Sequence, residues 1–202
     1  MLRYRKPEKR QIWSVVLVLT VFVCVATLTV PSRKEREMQE QIAGEILRFR
    51  VLANSDNQED QEEKQRVKNA VLEELGPALS NAKDREETRE AVMEHMEEIR
   101  KTAEGIAGAG RIDVSLTTDW FPERVYGDCT FPEGEYETLR IGIGEAQGHN
   151  WWCVLYPGLC FSDAVHPVVT GEGKEELEKV LDEDAYDFIL HPAKTKIRFR
   201  WF

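Results

Sequence analysis

From Ile12 to Val30 the chain carries no charged residue: IWSVVLVLTVFVCVATLTV. Wound as a helix at about 1.5 Å per residue, the run spans roughly 28 Å, close to the thickness of a hydrocarbon core. No buried helix of a domain this size needs so uniform an apolar stretch. Five basic residues (Arg3, Arg5, Lys6, Lys9, Arg10) precede it. Arg33, Lys34 and Arg36 follow it, interleaved with Glu35 and Glu37. The positive-inside tendency then puts the N-terminus in the cytoplasm and the rest of the chain across the membrane. The length favours a retained anchor over a cleaved signal peptide. Val25-Ala26-Thr27 is a poor cleavage site, and Cys24 lacks the small residues that lipidation requires before it. The expected organisation is a basic segment over 1–10, a transmembrane or signal helix over 11–30, a polar helical stalk over 31–45 and a body over 46–202.

Charge limits what the body can bind. Removing the five basic residues and one acid before residue 31 from the totals of 27 and 37 leaves 22 and 36, a formal balance of −14. Such a surface repels phosphate backbones, so nucleic acid is not an expected partner. Anionic lipid is repelled likewise unless the charge is segregated.

Periodicity then orders the body. In Ile46–Ala53, Leu47, Phe49, Val51 and Ala53 share one face and Arg48 and Arg50 the other, the pattern of a half-buried strand. Asn54-Ser55-Asp56 turns the chain, with Ser55 or Asp56 as the expected cap of a helix from Gln58 to Leu75. Gly76-Pro77 is expected to stop that helix. A second helix is expected over Asp84–Ile106, with His95 on or beside its apolar face. The glycine-rich break Gly105–Gly110 lacks the lysine and the following helix of a phosphate loop.

Ile112–Thr117 and Glu135–Ile143 alternate as strands. Gly144–His149 is long for a tight hairpin. Trp151–Tyr156 is apolar on both faces, as expected of a central strand. Lys174–Leu181 reads as a short acidic helix and Lys196–Phe202 as a closing strand. One strand, two long helices and several strands in that order imply an α+β fold: a mostly antiparallel sheet with both helices on one face, preceded by the N-terminal apolar helix.

The stretch Gly148–Phe161 holds two of the five tryptophans and two of the four cysteines. Outside the cytoplasm cysteines tend to pair, and Cys153 and Cys160 flank a turn at Pro157-Gly158, which makes them the favoured pair. Cys129 is left free or displaces one of them. Catalysis is the rival reading. His149, Asn150, Cys153, Asp163 and His166 are the residue types of a cysteine hydrolase, but no nucleophile motif surrounds them. A zinc site from His149, Cys153, Cys160 and His166 lacks paired ligand spacing. No catalytic residue, cofactor, metal or small-molecule substrate is therefore assigned. Consecutive strand residues face opposite ways, so of Trp151 and Trp152 one is expected in the core and one at a contact.

Three segments carry a resemblance: LRFRVLANSDNQEDQEEKQRVKNAVLEEL (Leu47–Leu75), FPERVYGDCTFPEGEYETLRIGIGEAQGHNWWCVLYPGLCF (Phe121–Phe161) and the terminal IRFRWF. Together they resemble the stage II sporulation protein R (SpoIIR) family of endospore-forming bacteria. Gly158 stands where a second proline is common. Cys129 and the stretch Lys174–Asp184 are peculiar to this chain. The resemblance implies a non-enzymatic signalling protein, made in the forespore and exported to the space between the two sporulation membranes. There it would activate a membrane-embedded aspartic protease of the mother cell (SpoIIGA) that processes the sigma-E precursor. Gly148, His149, Asn150, Trp151, Trp152 and Tyr156 are the expected partner-binding residues. A cysteine-dependent envelope hydrolase and a non-catalytic envelope-binding module are the alternatives.

Overall fold

The alternation of Leu47–Leu52 puts Phe49 and Val51 on one side of a strand, and that strand (β1) lies inside the sheet rather than at its border. The computed structural model describes residues 13–14, 16–22, 33–161, 169 and 171–191. Met38–Pro192 forms one of the chain's two units and holds the whole sheet. In the other unit, residues 13–14 and 16–22 are helical, and Trp13, Leu17 and Phe22 are exposed. No helix among the described residues is long and apolar enough to cross a membrane. Most of the expected segment 11–30, and the expected strand Lys196–Phe202, lie outside the described residues.

The helix Arg33–Glu45 (α1) occupies the expected stalk. The compact unit that holds the sheet begins at Met38. Ile42 is fully buried, and the Gln39 amide donates to the Glu135 carbonyl at 2.9 Å, so this end of α1 belongs to the body.

After β1 comes a helix Gln58–Leu79 (α2), then Arg85–Glu94 (α3) and Met96–Ala107 (α4). The expected stop at Gly76-Pro77 is overridden: α2 runs through Pro77 and ends at Ser80, whose amide still reaches the Gly76 carbonyl at 3.0 Å. Its cap is Asn57, not Ser55 or Asp56, with the Asn57 side chain accepting from the Asp60 amide at 2.8 Å. The expected second helix is broken at His95, whose ring nitrogen turns back on the Ala91 carbonyl at 2.8 Å. That bond competes with helical continuation at the C-terminal end of α3.

The remaining strands are Ile112–Phe121 (β2), Arg124–Tyr126 (β3), Cys129–Phe131 (β4), Gly134–Ile143 (β5) and Asn150–Tyr156 (β6). Two helices, Gly171–Val180 (α5) and Glu183–Leu190 (α6), follow; the sequence patterns had suggested only the first. Asp182 caps α6 by accepting from the Ala185 amide at 2.8 Å.

The main sheet has the order β2-β5-β1-β6, and β3 and β4 pair as a separate hairpin. β2 with β5 and β1 with β6 are antiparallel, but β1 and β5 are parallel, so the sheet is mixed. Among the described residues one expectation needs correction. Trp151–Tyr156 is an edge strand, not a central one; its two apolar faces arise because both sides of the sheet are covered there. The two long helices expected over 58–75 and 84–106, here α2 and α3–α4, do share one face, and the further helices α1, α5 and α6 lie on the other. α2, α3 and α4 cover Phe49, Val51, Leu139 and Ile141 on one side. On the other, Phe121, Tyr136 and Val154 are packed with side chains of α1, the β3–β4 hairpin, α5 and α6. Each fully buried aliphatic or aromatic side chain of this core contributes about 1.5–3 kcal/mol by leaving water.

A candidate protein-contact site

β5 and β6 are consecutive in sequence yet sit on opposite sides of β1. The loop between them must step over the C-terminal end of β1, a crossing of two strand spacings or about 10 Å. This is why 144–149 is longer than a hairpin turn. The crossing is pinned to the chain beneath it. The Gly144 amide donates to the Arg111 carbonyl at 2.7 Å, Gln147 to Asn54 at 3.3 Å and Gly148 to Ala53 at 2.9 Å. The Glu145 amide donates to the Asn54 side-chain oxygen at 3.0 Å. Gly144 has φ +57°, and a Cβ there would strike the Asn54 side chain; a Cβ on Gly148 would strike the Ser55 carbonyl. Glycine at both positions is a requirement of this close approach.

Asp56, freed from capping, takes both the His149 amide (2.6 Å) and the His149 Nδ1 (2.5 Å). These bonds hold the Asp56 carboxyl below its ordinary pKa. Lys64 donates to the His149 carbonyl at 2.9 Å from a nearly buried position, and burial lowers its pKa. The loop is therefore fixed in backbone while Glu145, Gln147 and His149 remain exposed, His149 at 79% of its side chain.

The expected partner-binding residues separate. Gly148 is buried and serves the crossing. His149 is exposed beside Asp56, and Asn150 begins β6 opposite Leu52. Trp151 and Trp152 point to opposite sides of the sheet and both are half-buried. Trp151 packs edge-on against Phe49 at 5.5 Å, with the Lys68 ammonium 5.0 Å from its ring, on the helix side. Trp152 packs edge-on against Phe121 at 4.9 Å, with the Arg50 and Arg124 guanidinium groups 4.6 and 4.8 Å from its ring. Tyr156 donates to the Lys83 carbonyl at 3.3 Å, at the far end of β6 from the loop.

Cys153 and Cys160 form a disulfide with Cα atoms 5.5 Å apart, and Cys129 is free and buried. Burial, then the neighbouring Asp128, pushes the Cys129 thiol up to about 11, so it stays protonated and unreactive at neutral pH. Asp163 and His166 lie outside the described residues. Among those described, no cluster of three histidines, cysteines or acids could hold a metal.

The alternation pattern located Arg48 on the polar face but did not reveal what covers it. Arg48 is fully buried in an aromatic box. Its guanidinium lies 4.4 Å from the Phe121 ring, 5.0 Å from Tyr136 and 5.5 Å from Phe131, and donates to the Tyr126 hydroxyl at 3.1 Å. Its Nε and Nη1 have no hydrogen-bond partner among the described residues. Burial drives its pKa below the usual arginine value, and pushes the Tyr136 hydroxyl up to about 12. The available signal was the run of aromatics across Phe121–Tyr136, which could be read as a box only once the hairpin folded over β1.

The match to known proteins follows this architecture. The family model described as stage II sporulation protein R matches residues 43–166, a span that takes in the sheet and the crossing loop. The chain belongs to the stage II sporulation protein R family. It is similar to the protein named stage II sporulation protein R of Bacillus subtilis (strain 168), with 31% identity over 186 residues, covering 84% of this chain and 83% of the relative. No solved structure matches it. The crossing loop and the 53–64 segment beneath it lie in the two longest stretches on which the sequence resemblance rests, and they are the segments this SpoIIR fold locks together.

Proposed function

We propose that this SpoIIR-family chain is a sporulation signalling protein that acts by contact and makes or breaks no bonds itself. Tethered through its N-terminal segment, the body works in the space between forespore and mother cell. It activates the membrane-embedded aspartic protease SpoIIGA, which then processes the sigma-E precursor. An activator must bind the active state of its target more tightly than the inactive one, and that needs a surface of fixed shape. The observation that carries this reading is the crossing loop: a backbone locked by bonds to 53–64 that presents Glu145, Gln147 and His149 to solvent. Family membership supports the sporulation role, and the uncharged Ile12–Val30 run supports the tether.

The test is co-expression of the full chain with the protease and the sigma precursor in a host that does not sporulate. Cleaved precursor should appear only when all three are present. The triple variant Glu145→Ala, Gln147→Ala, His149→Ala should abolish cleavage while the chain is still exported and folded. Cleavage with the protease omitted would mark the chain as a hydrolase. Cleavage that proceeds equally without the chain would leave it an envelope-binding module.

A further inference from the structure

Among the described residues, the sheet face turned away from α2–α4 is buried around Arg48 and partly exposed around Arg50, Arg140 and Trp152. Beside the aromatic box a row of side chains crosses the whole sheet in register: Ser115 on β2, Arg140 on β5, Arg50 on β1 and Trp152 on β6. Arg124, from the hairpin, stacks over the same indole as Arg50. Asp119 accepts from Arg50 at 3.0 Å and lies 3.8 Å from Arg140, and Asp113 accepts from Arg140 at 2.7 Å. Arg124 makes no ion pair among the described residues, and its Nε has no hydrogen-bond partner. Arg48 next to it is buried with no carboxylate. Four guanidinium groups thus share two carboxylates in a body whose formal charge beyond residue 30 is −14. Burial lowers the pKa of Arg50; the Asp119 carboxylate opposes that shift and the charge of Arg140 adds to it.

From this geometry we infer that Arg124, Arg50 and Arg140, arranged around Trp152, form a docking site for the carboxylates of an acidic segment on a partner protein. Both guanidinium groups lie over the Trp152 ring; Arg50 Nη1 already donates to Asp119, while Arg124 has no carboxylate partner among the described residues and is the group left to take a planar, two-pronged anion. A carboxylate is such an anion. The patch is small, one indole wide, and is bordered by an acidic body. An extended phosphate backbone or an anionic bilayer would meet that body before it met the patch. A short acidic peptide can enter without doing so. Complementary charge at a confined patch sets register and partner choice.

The site rests on the reading that the chain works through a protein partner and supplies the chemistry of that contact. It is tested first without the protease. Full-length chain in non-ionic detergent is titrated into a fluorescent oligoglutamate peptide, with oligoglutamine as control. Arg124→Gln with Arg140→Gln should weaken oligoglutamate binding by about tenfold or more, as lost charge pairs at an interface do. Lys101→Gln, an exposed charge on α4, should leave it unchanged. Equal binding of both peptides, an unaffected double variant, or displacement by inorganic phosphate as readily as by oligoglutamate would overturn the proposal. In the co-expression host the double variant should also fail to trigger cleavage; normal cleavage there would remove the site from signalling. A wild-type chain that binds oligoglutamate yet never triggers cleavage would keep the site and defeat the signalling reading.

Discussion

The two faces of one sheet solve the problem of cover in different ways. On the helix side, Phe49, Val51, Leu139 and Ile141 meet the apolar stripes of α2–α4 in an aliphatic core. On the other side the same strands present Arg48, Arg50 and Arg140. There the cover is an aromatic box for the first arginine, while the other two are partly exposed and paired with Asp119 and Asp113. The contrast separates fold from contact. The first face spends its burial on stability. The second holds two arginines partly exposed and buries Arg48, whose charge no ion pair among the described residues offsets. Trp151 and Trp152 belong one to each face, so adjacent residues are expected to fail in different ways.

The largest expected difference between the faces is thermodynamic. Phe49→Ala should cost about 3–5 kcal/mol in chemical denaturation, as truncation in a packed core does. Arg48→Met, one residue away, should cost far less or stabilise by about 1–4 kcal/mol, because it removes a buried charge with no counter-ion and fills its volume. Equal losses at the two positions would mean that the box binds its guanidinium strongly, and that the faces differ in chemistry but not in role.

The disulfide comes next. Replacing Cys153 and Cys160 together by serine should cost about 2.5 kcal/mol on the chain-entropy account of a short loop, read as a shift in denaturation midpoint. An unchanged midpoint would mean that the turn at Pro157-Gly158 is held by packing alone.

Smaller again are the glycines. Gly148→Ala drives a Cβ into the Ser55 carbonyl and should cost about 1–3 kcal/mol. Gly105→Ala sits in α4 with nothing within 4 Å and should stabilise by about 0.5–1 kcal/mol. Opposite signs would show that glycine is required where the crossing loop meets the chain beneath it and is not required inside α4.

The smallest effect is electrostatic and read by pH. The folded pKa of Asp56 is lowered by its bonds to His149, so its contribution is complete above the ordinary value of 3.8. It is lost as the pH falls through the lowered folded value. Asp56→Asn should flatten that part of the acid limb and lower stability by a small, pH-independent amount above it.

How much of this could be read beforehand follows from the same contrast. Alternation in Leu47–Leu52 and Gly134–Ile143 assigned each side chain to a face, because strand periodicity is local. It did not identify what lies on that face. The box around Arg48 requires Phe121, Phe131 and Tyr136 to return from more than 70 residues away, and no local pattern encodes such a return. The parallel β1–β5 pairing was missed for the same reason: short loops suggested neighbours, but β5 inserted between β1 and β2. The apolar character of Trp151–Tyr156 was read as a central strand when it marks an edge strand covered on both sides. Within the contact region, the unusual length of 144–149 was visible, and its cause, the step over β1, was not. The Cys153–Cys160 pair was accessible because proximity across a turn is a local property.

The central claim is that the helix-covered face maintains the fold while the loop and arginine face carry the signal. The most direct test compares Trp151→Leu with Trp152→Leu in the co-expression host, measuring cleaved precursor per folded, exported chain. Trp152→Leu should lower that ratio sharply, and Trp151→Leu should lower only the amount of folded chain and leave the ratio near wild type. A ratio that collapses for Trp151→Leu and holds for Trp152→Leu would contradict the account.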